Sequence, residues 1–344
     1  MATYKRQRYL FMTLDPVHIG TGGYRLGRVD NSIVREPGTK IPKIPGTSLH
    51  GAARAYTAQL YETPEAAGQN HDKIDKPDEN PVCYTFGYIK KSKNGNDNDK
   101  ATIYSGVVNI FDAHVLLFPV HSMVGPVWVS TVERLKDAGF TVNTPPASWN
   151  TDQAVLNWGR NEALNLGWLM VGVAGQVTIT APPNWQNEER CKAVSRIILV
   201  KDALFSQVVN SNLEVRTSVA INPETGAAEE GALFTYEAIP RATFLTAEVV
   251  LDDYGAGEDK DEKKENGQSK RKRPFPKDKT HKGNEDIPGG SWECPLCVVK
   301  AGFRMIEWLG VGGMGTRGFG RMAVVGNPVE EKHGEEQGNE QHTH

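Results

Sequence analysis

Residues 309–321 read LGVGGMGTRGFGR, with glycine at 310, 312, 313, 315, 318 and 320 and arginine at 317 and 321. Glycine reaches positive φ at no steric cost and lets a backbone approach a ligand closely. Successive N–H groups in such a loop form a concavity suited to phosphate. The flanks decide what kind of loop it is. An apolar run of helical spacing (292–309) enters it and a strand-like run (319–325) leaves it. A dinucleotide fingerprint runs in the opposite order, strand into helix, and a Walker A loop ends in Gly-Lys-Ser/Thr, so neither fits. A phosphate-facing loop or a bare turn remains, carried on a chain that mixes helices with strands.

A matching cluster lies near the other end. A strand at 8–17 runs into HIGTGGYRLGRVDN (18–31), followed by KIPGTSLHGAAR (43–54). Ser48 is read as the cap of a helix over 49–61, whose free N–H groups and positive dipole end suit a phosphate. Lys43, His50 and Arg54 line the approach. Residues 63–102 are polar and read as a mobile insertion. Strands are expected at 106–120, 167–180, 196–200 and 242–251, and a helix at 127–138. Two extended runs around PETG (223–226) read as a hairpin over 212–240. Residues 253–291, which include the run KRKR, contain almost no apolar side chains and read as a disordered tether, and 329–344 as an unstructured tail. The alternation indicates an α+β fold.

The chain has 344 residues, 38% hydrophobic and 24% charged, enough for a core that needs no staples. Its net charge of −3 does not advertise a nucleic-acid binder, although acidic residues between 330 and 340 can mask a local basic groove. No stretch reaches the roughly 20 apolar residues of a membrane span, and residues 1–8 are polar and basic, so a cytoplasmic location without membrane partners is expected. The four cysteines are expected as reduced thiols. Cys294 and Cys297 have the CxxC spacing of a metal or redox site, or are two small residues opening a helix.

Together the two glycine clusters resemble the RAMP superfamily of CRISPR proteins, whose members end in a loop like that at 310–320. DPVHIGTG, VDNSIVRE, IPGTSLHGAAR and FDAHVLLFPVHSMVGPVWVST extend the likeness. EVRTSVAINPETGAAEEGALFTYEAIP (214–240) is similar to the backbone subunit of the type III-B (Cmr) RNA-guided complex. The resemblance implies an RRM-like, ferredoxin-type palm, formed by 1–62, 103–210, 241–252 and 292–328, with a thumb hairpin at 211–240. It implies copies stacked along a guide RNA beside other subunits, and a complementary target RNA cut at regular intervals with a divalent metal ion, Mg²⁺ or Mn²⁺. Asp30 stands at the family's catalytic position and is a candidate metal ligand, with His18, Tyr236 and Glu237 as proton-transfer candidates. RNA contacts are expected from Arg28, Lys43, Ser48, His50, Arg54, Arg216, Gly313, Gly315 and Arg317. The alternatives are a purely structural guide-RNA scaffold and a stand-alone guide-processing endonuclease.

Overall fold

The structure, a computed structural model, describes residues 3–22, 29–68, 71–90, 102–143, 145–146, 148–253, 275–276 and 292–331. The elements that carry the argument are strand β1 (Thr3–Thr13), helix α1 (Gly46–Leu60), strands β2 (Ala113–Ser122), β3 (Gly125–Ser130), β4 (Glu214–Ile221), β5 (Ala228–Ala238) and β6 (Phe244–Asp253), helix α2 (Pro295–Leu309) and strand β7 (Met322–Val324).

β1 carries the unbroken apolar run Tyr9-Leu10-Phe11-Met12. Successive strand side chains leave on opposite faces. Tyr9 and Phe11 enter the larger core and Leu10 the smaller one, so a run that does not alternate marks a strand covered on both sides. β1 pairs antiparallel with β6 from Thr3–Asp253 to Met12–Phe244. They sit in a mixed twelve-stranded sheet, ordered from one edge Leu164–Leu166, Leu169–Gln176, Gln153–Leu156, Ile197–Leu199, β3, β2, β6, β1, β7, with three short strands attached beside this path.

Helices α1 and α2 cover the Tyr9 and Phe11 face. Phe303 meets both rings edge-on, at 5.0 and 5.2 Å between centroids. The helices touch at Gly302, where a Cβ would lie 2.7 Å from the Ala53 backbone. The opposite face is filled by Leu135, Phe140, Trp185, Phe244 and their neighbours. β4 and β5 form a separate antiparallel pair outside the large sheet. At its tip, Asn222 Oδ1 accepts the Glu224 N–H at 2.8 Å, an Asx turn that folds PETG back on itself.

Several local expectations change. α1 begins at Gly46 behind Pro45, not at a Ser48 cap, and Asp112 Oδ1 accepts the Gly46 N–H at 2.7 Å. The helix expected at 127–138 is β3 followed by a short helix, Val132–Asp137; the Val-Trp-Val run of β3 suits a pleated surface better than a helix. Residues 63–68 and 71–90, expected as part of a mobile insertion, are folded. They hold a short helix, Pro81–Phe86, with every residue buried, and Asn80 Oδ1 caps it by accepting the Val82 and Cys83 N–H groups. This small apolar patch is outvoted by its polar surroundings in any window average. Val329–Glu331 adds a strand to β1, with Arg6 and Arg8 paired to Glu331 at 2.8 and 2.6 Å, so the expected tail begins later. The expected tether at 253–291 and the rest of the tail lie outside the described residues, except for 253 and 275–276. Among the described residues no helix is long and apolar enough to cross a membrane.

Candidate nucleic-acid interface

The glycine loop leaves α2 and doubles back over residues 16–20. Val311 N–H donates to Gly320 O, Gly313 N–H to His18 O and Gly320 N–H to Pro16 O, each at 2.9 Å. At Gly312 φ is +86°, and a Cβ would lie 2.5 Å from His18 O, so only glycine lets the two segments meet. The packing uses donors that the loop was expected to offer. Gly313 gives its N–H to His18, whereas Gly315 is exposed at the start of a short 3₁₀ turn, Gly315–Arg317.

Beneath the loop His18 is buried, its Nδ1 2.7 Å from the Glu237 carbonyl oxygen. A carbonyl only accepts, so Nδ1 carries the proton in neutral His18. Nε2 then keeps its lone pair, without a partner among the described residues.

Asp30 is exposed, yet fixed. Its Oδ2 accepts from the Thr235 N–H at 2.7 Å and from the Thr235 hydroxyl at 2.9 Å. The Asn31 N–H reaches Thr235 O at 3.0 Å, and the Glu237 N–H reaches Asn31 O at 3.2 Å. The loop after β1 is thus laced onto β5, and Asp30, His18, Tyr236 and Glu237 gather in one place. The Thr235 backbone N–H first, and then its hydroxyl, hold the Asp30 carboxyl below the usual carboxylate range.

Two of the proton-transfer candidates are otherwise engaged. Glu237 is buried and grips Arg35 with both oxygens, while its Oε1 also accepts the Ile33 N–H at 3.3 Å. Arg35, which was not among the candidates, makes further bonds to Asn210 and to the Ile33 carbonyl, at 3.0 Å each. Tyr236 is buried against Phe319 at 5.4 Å, its hydroxyl 3.0 Å from Ser218 Oγ. Both are framework residues.

The expected RNA contacts divide in the same way. Lys43 pairs with Asp112 at 2.6 Å and Glu36 at 3.0 Å, and Asp112 also occupies the start of α1, so an incoming phosphate meets a carboxylate there. Arg54 donates to Ala66 O at 2.7 Å and Gly87 O at 2.8 Å and lies 2.6 Å from His71 Nε2; it ties the 63–90 segment to α1. Burial, and then the Arg54 charge, lower the proton affinity of His50, which packs edge-on against Phe86 at 5.1 Å. Ser48 is half-buried in the first turn. Arg28 lies outside the described residues. Arg216 and Arg317 are exposed beside aromatic rings, Arg216 4.7 Å over Phe319 and Arg317 5.9 Å from Phe234, although Arg216 also meets Glu214 at 2.6 Å.

No cluster of three or more His, Cys, Asp or Glu fit to hold a metal occurs among the described residues. Asp30 Oδ1 has no hydrogen-bond partner among the described residues, since both Thr235 donors go to Oδ2. That donor set suits a hydrated divalent cation shared with RNA phosphates, which one protein carboxylate can anchor, and not a cation held by protein alone.

The family model of the RAMP superfamily matches residues 10–323. The chain belongs to the RAMP superfamily. The RAMP match spans the loop after β1, the hairpin and the glycine loop together. One relative, the CRISPR system Cmr endoribonuclease Cmr4 of Pyrococcus furiosus, is 28% identical over 259 residues, 70% of this chain and 79% of that protein. Among solved structures, a type III-B Cmr-beta complex bound to cognate target RNA contains a chain with TM-score 0.57 at 14% identity, covering 93% of this chain and 96% of that one. Oligomeric Cmr4 from Pyrococcus furiosus gives 0.51 at 18% identity, covering 95% and 98%. At these identities the structural likeness establishes a shared fold.

Proposed function

We propose that this RAMP protein is the repeating backbone subunit of a type III-B CRISPR ribonucleoprotein, and that it holds guide RNA and cuts the complementary target RNA at regular intervals. The observation that carries the reading is the Asp30 carboxylate: exposed, ionised, and clamped by Thr235 to the hairpin that would enter the duplex. On this reading the large sheet with α1 and α2 is the RRM-like palm and β4–β5 the thumb. The hairpin exposes Val219, Ile221 and Leu233, apolar groups suited to wedging between bases, at a cost of a few kcal/mol per unstacked step. The relative's name, an endoribonuclease of the Cmr system, and the target RNA in the similar complex agree with this assignment.

RNA brings its own nucleophile, the 2′-hydroxyl beside the scissile phosphate. The protein must align that oxygen for in-line attack, accept its proton and balance the charge gathering on phosphorus. Asp30 is held too acidic to be an effective base near neutral pH; as an anion it accepts a hydrogen bond from the hydroxyl and orients it. His18 Nε2 is the group left to take the proton, since Glu237 and Tyr236 are committed to packing. Arg317 and Arg216 supply positive charge at the rim. A divalent cation, Mg²⁺ or Mn²⁺, would be held by Asp30 Oδ1 together with RNA phosphates and would neutralise charge there.

The test is Asp30→Ala in the assembled complex, with labelled complementary RNA and Mg²⁺. Cleavage is expected to fall about a hundredfold or more, while assembly, guide retention and target capture stay at wild-type levels, because an exposed carboxylate leaves no cavity. Unchanged cutting would leave the subunit a structural scaffold for the guide.

A further inference from the structure

Cys294 and Cys297 take no part in the interface above. Cys294 stands immediately before α2 with an extended backbone (φ −154°, ψ 159°), and Cys297 lies in the first turn, its N–H bonded to Cys294 O at 3.0 Å. The sulfurs are 2.6 Å apart. Both side chains are half-buried on an open cleft of about 670 Å³, whose walls include Lys5, Lys300 and Tyr9. α2 is 15 residues long, and the positive end of its dipole favours a thiolate. Contact with the Cys294 sulfur first, and then backbone hydrogen bonds, hold the Cys297 thiol below its ordinary value. The other two cysteines behave differently: burial pushes Cys83 and Cys191 up to about 11 each.

We propose that Cys294 and Cys297 form a reversible dithiol–disulfide pair that exchanges with small disulfides through the cleft, with Cys297 attacking and Cys294 resolving. Cys297 thiolate attacks one sulfur of RS–SR; the S–S bond breaks, RS⁻ leaves and takes a proton from solvent, and a mixed disulfide remains on Cys297. Cys294 then loses its proton, attacks the Cys297 sulfur and expels the second RS⁻. Two protein thiols are oxidised by two electrons, and one small disulfide is reduced to two thiols. The ring closes within a single turn and joins no separate elements, so the fold accepts either state and the exchange stays reversible.

The experiment equilibrates the full chain in mixtures of reduced and oxidised glutathione, quenches with acid, alkylates, and reads each cysteine by mass spectrometry. The wild-type chain is expected to accumulate a 294–297 disulfide, two hydrogens lighter, with Cys83 and Cys191 still reduced. Cys294→Ser should trap one glutathione on Cys297, and Cys297→Ser should react roughly tenfold or more slowly, having lost the thiolate. A folded wild-type chain that keeps both thiols in oxidised glutathione alone, or reacts there no faster than at Cys191, overturns the proposal. So does a zinc ion that survives purification and shields both thiols from alkylation. The wild-type measurement decides even if a variant does not fold.

Discussion

Thr235 contributes two donors to a single oxygen of Asp30, and those donors set both where the carboxylate points and when it ionises. A carboxylate with a depressed folded value stabilises the fold above its unfolded value, about 3.9, and that contribution is lost as pH falls through the folded value. Asp30 should therefore stay charged throughout the range in which histidines titrate. Thr235→Val removes the hydroxyl and leaves the backbone donor, so the carboxyl should titrate higher, back toward the ordinary range. Carbon-detected NMR of the Asp30 carboxyl during acid titration measures this, and an unmoved midpoint would show that the backbone N–H alone is responsible. Glu237→Gln has a different consequence. Arg35 would be left short of a counter-charge in a largely buried site, which should cost about 2–4 kcal/mol in urea unfolding, far more than loss of an idle side chain. Before the fold is known, Glu237 and Tyr236 look catalytic because their neighbours match a cutting family. Nothing local to VRE (34–36) announces that Arg35 crosses to residue 237, because such a pair is made by tertiary packing.

At the level of helices and strands, Gly302 is the joint at which α1 and α2 meet backbone to backbone. Alanine would gain about 1 kcal/mol of helix propensity, but its methyl would meet the Ala53 backbone at 2.7 Å. Backbone has no rotamer to move, so the helices must separate. We expect Gly302→Ala to lose about 1–2 kcal/mol net in thermal or urea unfolding; a gain in stability would show that the α1–α2 packing is soft. The elements themselves were legible to different degrees. β1, the hairpin, β6, α2 and the last strand announce themselves through long runs and strong turn residues. The start of α1 did not, because the acceptor for its first N–H is Asp112, beside it just ahead of β2 but far along the chain. The short helix at Pro81–Phe86 was hidden for a related reason: its six residues are buried by neighbours remote in sequence.

For the whole molecule, the separation of β4–β5 from the large sheet means that the hairpin tip supports nothing in the core. Deleting residues 222–227 and joining the arms by a two-residue turn should leave the unfolding midpoint of the isolated chain within about 0.5 kcal/mol of wild type. In the assembled complex, regularly spaced cuts should decline while guide binding persists. A deletion that unfolds the chain would place the tip in the core and end the wedge reading. The hydrogen bonds between Asp30 and Thr235 also span 205 positions of sequence, and among the described residues β1 finds its partners at β6, β7 and Val329–Glu331. Synthesis proceeds from the N-terminus, and domains tend to fold as whole units. The first apolar strand and the carboxylate therefore leave the ribosome early and wait for most of the chain to follow. A product that stops before residue 235 carries Asp30 with nothing to aim it, and one that stops before residue 244 leaves Tyr9-Leu10-Phe11-Met12 without its sheet, a sticky nascent segment for chaperones to shield. On the proposed function, a chain that stops short of residue 235 therefore has the carboxylate without the two donors that aim it.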